Sequence, residues 1–247
     1  MAPVASTVRW ADADRQALAE QLPEAVVLLP VGATEQHGPH LPTGTDALIA
    51  EAVCDAAARQ AAARSPRPLI VTPVIPVGAS EHHLPFGGTL SLSPETLSAV
   101  LLDLARSVAM QGGRRLVLVN GHGGNVGVCH AVAAAASTRY GLAVGHVDYW
   151  RMAEAEPEVP VPGHAGEFET SLVLVLRPEM VGDRAGRGRV PVPPAVPGVD
   201  LHTADAWQAI DGYTDRPEAA DADTGRRRFG RLVTQLADRI VEIARVL

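Results

Sequence analysis

Carboxylates and imidazoles collect in this sequence where apolar, strand-like runs end. Ala25–Val31 is followed by Gly32-Ala-Thr-Glu35-Gln-His37-Gly-Pro-His40, with Asp46 close behind. Leu116–Val119 leads into Asn120-Gly-His122-Gly-Gly-Asn125. Ala143–Tyr149 leads, through a Pro- and acid-rich loop, into His164-Ala-Gly-Glu167-Phe-Glu169. Carboxylate with imidazole is a borderline-hard donor set that suits Zn, Mn or Fe(II). Glu35 and His37 stand two apart, so extended backbone projects both from one face. After the Gly38-Pro39 turn, Asp46 returns as the natural carboxylate to bridge two cations. The glycines flanking His122 let backbone come close to an ion. Each residue taken singly has a plainer reading. Asp46 sits at a plausible helix N-cap, Glu167 and Glu169 are acids favoured in a first helical turn, and His122 is a turn residue. His37 reads singly as a solvated loop histidine, and His40 keeps that reading. Their coincidence at successive strand ends is what favours chemistry.

The elements that must position these residues alternate. Strand-like runs at Ala25–Val31, Leu69–Val77, Leu116–Val119 and Ala143–Tyr149 are separated by helical patterns at Asp46–Ala63, Ser93–Gln111 and Val126–Tyr140. Ser93-Pro-Glu supplies an N-cap, a proline at the first helical position and an early acid. Ser171–Leu176 reads as helix in preference to strand, and a last helix spans Asp223–Val246. This order predicts a single α/β domain over residues 1–247, with a mainly parallel sheet covered on both faces. In such sheets ligands bind outside the carboxyl ends of the strands, where the candidate residues lie. Residues 184–223, rich in Gly, Pro and Arg, read as an ordered surface excursion.

Composition excludes several functions. The chain has 247 residues, 47% hydrophobic and 20% charged, with a formal net charge of −7 that disfavours binding to nucleic-acid phosphates. Aromatics at 4% give little surface for stacking single-stranded bases. All 21 basic residues are arginine, which excludes Schiff-base, lysine-base and P-loop lysine chemistry. Cys54 and Cys129 lie in apolar helical contexts and read as inert buried thiols. Met1–Trp10 lacks an apolar signal-like run and no stretch is long enough to span a membrane, so a soluble cytoplasmic protein is expected, with no membrane or nucleic-acid partner.

Four segments resemble the creatininase (creatinine amidohydrolase) family: Pro30–Asp46, Gly78-Ala-Ser-Glu-His-His83-Leu-Pro-Phe-Gly-Gly-Thr-Leu-Ser91, Asn120–Asn125 and His164–Ser171. Gly212–Gly225 fits as well. The resemblance implies a three-layer αβα sandwich, a hydrolase of cyclic or linear amides using two divalent ions per subunit, and a homo-oligomer, often a hexamer. By position, Glu35, Asp46 and His122 would hold one ion, and His37 and Asp46 the other. Creatininase has a glutamate where this chain has Gly124, so the second ion needs a further carboxylate. Glu167 is the expected one and Glu169 the fallback. His164 matches a substrate-contacting histidine proposed to shuttle protons, and His83 one near the pocket. Gly123 replaces a creatininase tyrosine and joins His83 and His164 in the expected substrate-facing set.

Creatininase also has tryptophans before the His164 position that help enclose a flat ring. Trp10, Trp150 and Trp207 all lie elsewhere in this chain, so creatinine is not the expected substrate. The GHGGN form is closer to formamidopyrimidine deformylases, an inositol-derived lactone hydrolase and the mycofactocin precursor peptidase. The expected mechanism is metal-assisted hydrolysis, with His164 protonating the leaving nitrogen. Two alternatives stand beside it: a peptidase trimming a precursor peptide, and a non-catalytic member binding metal or metabolite.

Overall fold

The computed structural model describes residues 7–153, 161–186 and 203–247, together with positions 196, 198, 199 and 201. The acid-rich loop at 154–160 and most of 187–202 lie outside the described residues. Five parallel strands form one sheet: β1 (Thr7–Arg9), β2 (Val26–Val31), β3 (Leu69–Val71), β4 (Arg115–Asn120) and β5 (Ala143–Asp148). Their order is β1-β3-β2-β4-β5.

The period of two along the central strands builds two cores. Val26 and Leu28 of β2, with Val117 and Val119 of β4, face α2 (Thr45–Ala62), α5 (Glu167–Leu176) and α7 (Ala222–Val246). Val27, Leu29 and Val31, with Leu116 and Leu118, face α3 (Pro94–Met110), α4 (Val126–Tyr140) and Leu18 of α1 (Arg15–Gln21). Strands buried on both faces read as continuous apolar runs, and helices on both faces make three layers. α6 (Ala204–Ala209) lies in the excursion.

The Ser93 cap acts as the sequence predicts, and Asp221 adds a cap to the last helix that was not expected. Ser93 Oγ accepts from Thr96 N at 3.2 Å, and Asp221 accepts from Thr224 N at 2.8 Å to start α7. Ser171–Leu176 is helix. The run Leu69–Val77 is strand only to Val71, because Pro73 and Pro76 withhold ladder donors, although Ile75 keeps a parallel bridge to Val31. β1 and α1 were not expected: three and seven residues give patterns too short to read.

β2 has β3 on one side and β4 on the other, so the chain reverses its winding between β2 and β4. That reversal opens the crevice in which sheets of this kind bind ligands. The loops after β2 and β4 carry Glu35, His37 and His122 into it. Gly32 lets α2 close over the crevice, since a Cβ there would lie 2.4 Å from Ala47 Cα. Asp46 is therefore not the N-cap. Gly44 holds that position, and Asp46 sits in the first turn of α2 with its side chain turned into the crevice.

Candidate metal centre

Asp46 is buried between two imidazoles. Its Oδ1 lies 3.1 Å from His37 Nε2 and its Oδ2 3.1 Å from His122 Nδ1. Glu35, on the same side of the loop as His37, places Oε1 3.2 Å from His122 Nδ1 and 3.4 Å from His164 Nδ1. Glu169 Oε2 lies 3.8 Å from His37 Nε2. Ligand atoms of Glu35, His37 and His164, of Glu35, His82 and His122, and of His37, Asp46 and Glu169 come together closely enough to surround an ion.

The far nitrogen of each ring shows what this arrangement is suited to. His37 Nδ1 faces Glu35 O at 3.1 Å, and His122 Nε2 faces Ala79 O at 3.1 Å. Each therefore donates its N–H to a carbonyl and turns a lone pair toward the carboxylates, as metal-ligating histidines do. Both oxygens of Glu35 and Oδ2 of Asp46 are buried and receive no hydrogen bond. Lone pairs facing carboxylates repel unless a cation lies between them, so the residues fit divalent metal ions. Without a metal, protons must serve. Burial opposes charge on His37, but Asp46 and Glu169 outweigh it and raise the ring to about 10. His122 is raised well above its ordinary value, burial again being outweighed by Glu35 and Asp46. Burial would raise Glu35, yet His122 beside it holds that carboxyl well below the usual range. Glu169 is raised to about 8 by burial, with His37 opposing.

Of the two glutamates left open by the sequence, the structure brings Glu169 to the cluster and turns Glu167 away. Positions two apart on a helix face nearly opposite directions. Glu167 Oε1 instead lies 3.3 Å from the buried Arg228 of α7. Glu169 also accepts from Ala165 N at 2.6 Å. Gly124 could not carry a glutamate in this backbone, since its Cβ would fall 2.2 Å from Ala79 O. Gly123 is exposed beside His122, with open space where a side chain would begin.

His40 is not a solvated loop histidine. It is buried, with Nε2 2.9 Å from Ala165 O, and so ties the first loop to the turn before α5. His83 is buried beside Glu35, its Nε2 3.7 Å from Oε1. Burial takes His83 down to about 3, and burial with the neighbouring His37 takes His164 well below its ordinary value. Both rings are neutral at neutral pH.

Sequence reasoning missed Gln36, His82 and Trp207. Gln36 Nε2 lies 2.8 Å from His83 Nδ1 and donates to Gly212 O, while its Oε1 accepts from Gly38 N. It lies between Glu35 and His37 and so faces the other way along the strand-like loop, a signal the spacing did contain. Trp207 overturns the expectation that every tryptophan lies away from the site. Its ring centroid is 4.6 Å from that of His83, 5.4 Å from His164 and 5.5 Å from His82. Its described part, α6, reaches the crevice from far along the chain.

Asn120 and Asn125 hold the centre from behind. Asn120 accepts from His122 N at 3.0 Å and donates to His122 O and to Asp148. Asn125 accepts from Ala79 N and donates to Gly32 O, joining three loops.

Comparison with known proteins gives the family and the fold. The family model described as Creatininase, creatinine amidohydrolase, matches residues 8–240. The chain is 38% identical over 220 residues to the mycofactocin precursor peptide peptidase of Mycolicibacterium smegmatis, covering 87% of this chain and 84% of that protein. It is 32% identical over 246 residues to the creatinine amidohydrolase of Pseudomonas putida, covering 89% and 90%. A solved structure described as "Creatininase Mn" superposes with a TM-score of 0.80 at 29% identity, covering 96% of this chain and 98% of that one.

Proposed function

The chain belongs to the creatininase family and is a metal-dependent amidohydrolase, and from that premise we propose how its site is divided and what amide it takes. Glu35, Asp46 and His122 hold one divalent ion; His37, Asp46 and Glu169 hold a second. The observation that carries this reading is Asp46, whose two oxygens each face the lone pair of a different imidazole. The donors suit Zn, Mn or Fe(II). When bound, such ions acidify water and polarise a carbonyl.

The surrounding residues handle the proton and the substrate. His164 Nε2–H donates to Gln36 O at 2.8 Å, which leaves Nδ1 as a lone pair facing Glu35. A neutral ring in that orientation takes a proton at Nδ1 from the attacking water and returns it to the leaving nitrogen as the C–N bond breaks. His83 accepts at Nδ1 from Gln36, so its Nε2 carries the hydrogen, is buried and has no partner. It is the donor placed to orient a substrate carbonyl.

The amide proposed is a peptide bond, on the strength of the 38% identity to the precursor peptide peptidase. A small planar amide is the second reading, favoured by the Trp207 ring over the three imidazoles. A cytoplasmic homo-oligomer completes the proposal. The exposed Leu84 and Leu90, on the segment that carries His83, offer apolar surface for subunit contact.

The test is a mass-spectrometric hydrolysis panel on protein of known metal content. It contains short peptides, formamidopyrimidines, creatinine, lactams and lactones, each with and without chelator. Chelator-sensitive cleavage of peptides alone is expected. Turnover confined to small cyclic amides would transfer the assignment to the second reading, and chelator-insensitive turnover would refute the metal division.

A further inference from the structure

We propose that the turn Gly212–Asp215 is the positioning element of His164, and that Thr214 is the positioning residue within it; the inference rests on the proton-carrying role given to His164 above. His164 lies between Gly163 at φ 65° and Ala165 at φ 51°, before α5 begins, so no regular structure of its own holds it. The hold comes from across the crevice. His164 N–H donates to Thr214 Oγ1 at 2.8 Å, and Thr214 N–H donates to His164 O at 2.9 Å. The hydroxyl hydrogen of Thr214 goes to Asp215 Oδ1 at 2.7 Å, which turns an oxygen lone pair toward His164 N–H. Asp215 Oδ2 in turn accepts from Glu167 N at 2.9 Å in the first turn of α5, the helix that presents Glu169.

The same turn reaches the other side of the ring. Gly212 O accepts from Gln36 Nε2, and the carbonyl of Gln36 accepts from His164 Nε2–H. The clearances leave no play. A Cβ at Gly166 would lie 1.7 Å from Asp215 Oδ1, and one at Gly212, where φ is 77°, would lie 2.9 Å from Gln36 Nε2. One short turn thus fixes the His164 backbone, the Gln36 amide and the start of α5. Small displacements of a reacting group cost rate out of proportion to their size, so loss of the hydroxyl that holds the His164 backbone should register in turnover.

Thr214→Val keeps the shape and removes the acceptor, and Thr214→Ser restores it. On a substrate the wild type cleaves, Thr214→Val should lower kcat by about 10- to 100-fold with KM little changed, and Thr214→Ser should recover it. Bound metal should be unchanged in both. Independently of substrate, spectra of 15N-histidine protein should show a slowly exchanging His164 Nε2–H in the wild type and Thr214→Ser, and its loss in Thr214→Val. Wild-type kcat with an unchanged His164 signal in Thr214→Val would overturn the proposal. So would a parallel loss of metal, melting temperature and kcat that serine does not rescue, which is a purely structural role. His164→Ala is assayed alongside to separate two failures. If it is inactive while Thr214→Val is active, this inference alone fails. If it retains full turnover, the proton-carrying reading fails and takes this one with it.

Discussion

At the scale of residues the centre depends on buried carboxylate oxygens, both of Glu35 and Oδ2 of Asp46, that no protein donor reaches. Asp46 faces both His37 and His122, so Asp46→Asn should lose most bound metal and nearly all turnover, read by elemental analysis and the hydrolysis assay. Cys129→Ala, in the opposite core, should change neither. The two glutamates of α5 should separate cleanly. Glu169→Gln should reduce metal content, because its oxygen faces His37 and Asp46. Glu167→Gln should leave metal in place and cost about 1.5–3 kcal/mol in urea unfolding, because the Arg228 guanidinium that donates to Glu167 Oε1 loses its charged acceptor. Equal metal loss in both variants would contradict the division of roles. His40, His83 and His164 show why type and spacing are incomplete guides: all three are buried, and only their partners distinguish a strut from a working ring.

At the scale of elements, the centre is assembled by helices pressed against strand ends. α7 is the long amphipathic helix that closes one layer, and it approaches α5 through Gly225. A Cβ there would fall 2.0 Å from Ser171 O, so no side chain fits without separating the helices. Gly225→Ala should cost about 1–3 kcal/mol in chemical denaturation. It should also weaken metal binding, since α5 carries Glu169; unchanged stability would show that the two helices yield freely. The excursion works similarly at longer range. Its Gly/Pro/Arg composition gives no periodicity to read, yet α6 brings Trp207 onto the imidazoles and the turn that follows clamps His164.

At the scale of the molecule, the metal-free protein holds a cluster of buried carboxylates neutralised by protons, and this fixes how its stability responds to pH. His37 is raised from 6.5 to about 10 and Glu169 from 4.5 to about 8. A group raised on folding stabilises fully below its unfolded value and ceases to as pH climbs through its folded value. Chelator-treated protein should therefore lose melting temperature between about pH 4.5 and 10, as the protons on Glu169 and then His37 are lost. Metal-loaded protein, in which ions replace those protons, should be nearly flat over the same range and should release protons on loading. Parallel melting curves for the two forms would contradict this account.

The sequence by itself determined the parallel αβα plan, because buried strands and capped helices leave strong local patterns of apolar residues, Ser, Pro and Gly. It also determined the residue types at the centre, because Glu35, His37, Asp46 and His122 sit in short segments whose spacing constrains where side chains point. Only the tertiary structure shows that Glu169 faces His37 while Glu167 faces Arg228, because the two differ by a helical rotation relative to α2 and α7. Only it moved His40 into the interior and brought Trp207, Gln36 and Thr214 to His164. Those contacts join positions tens of residues apart, and no local pattern encodes a distance that closes only when the chain does.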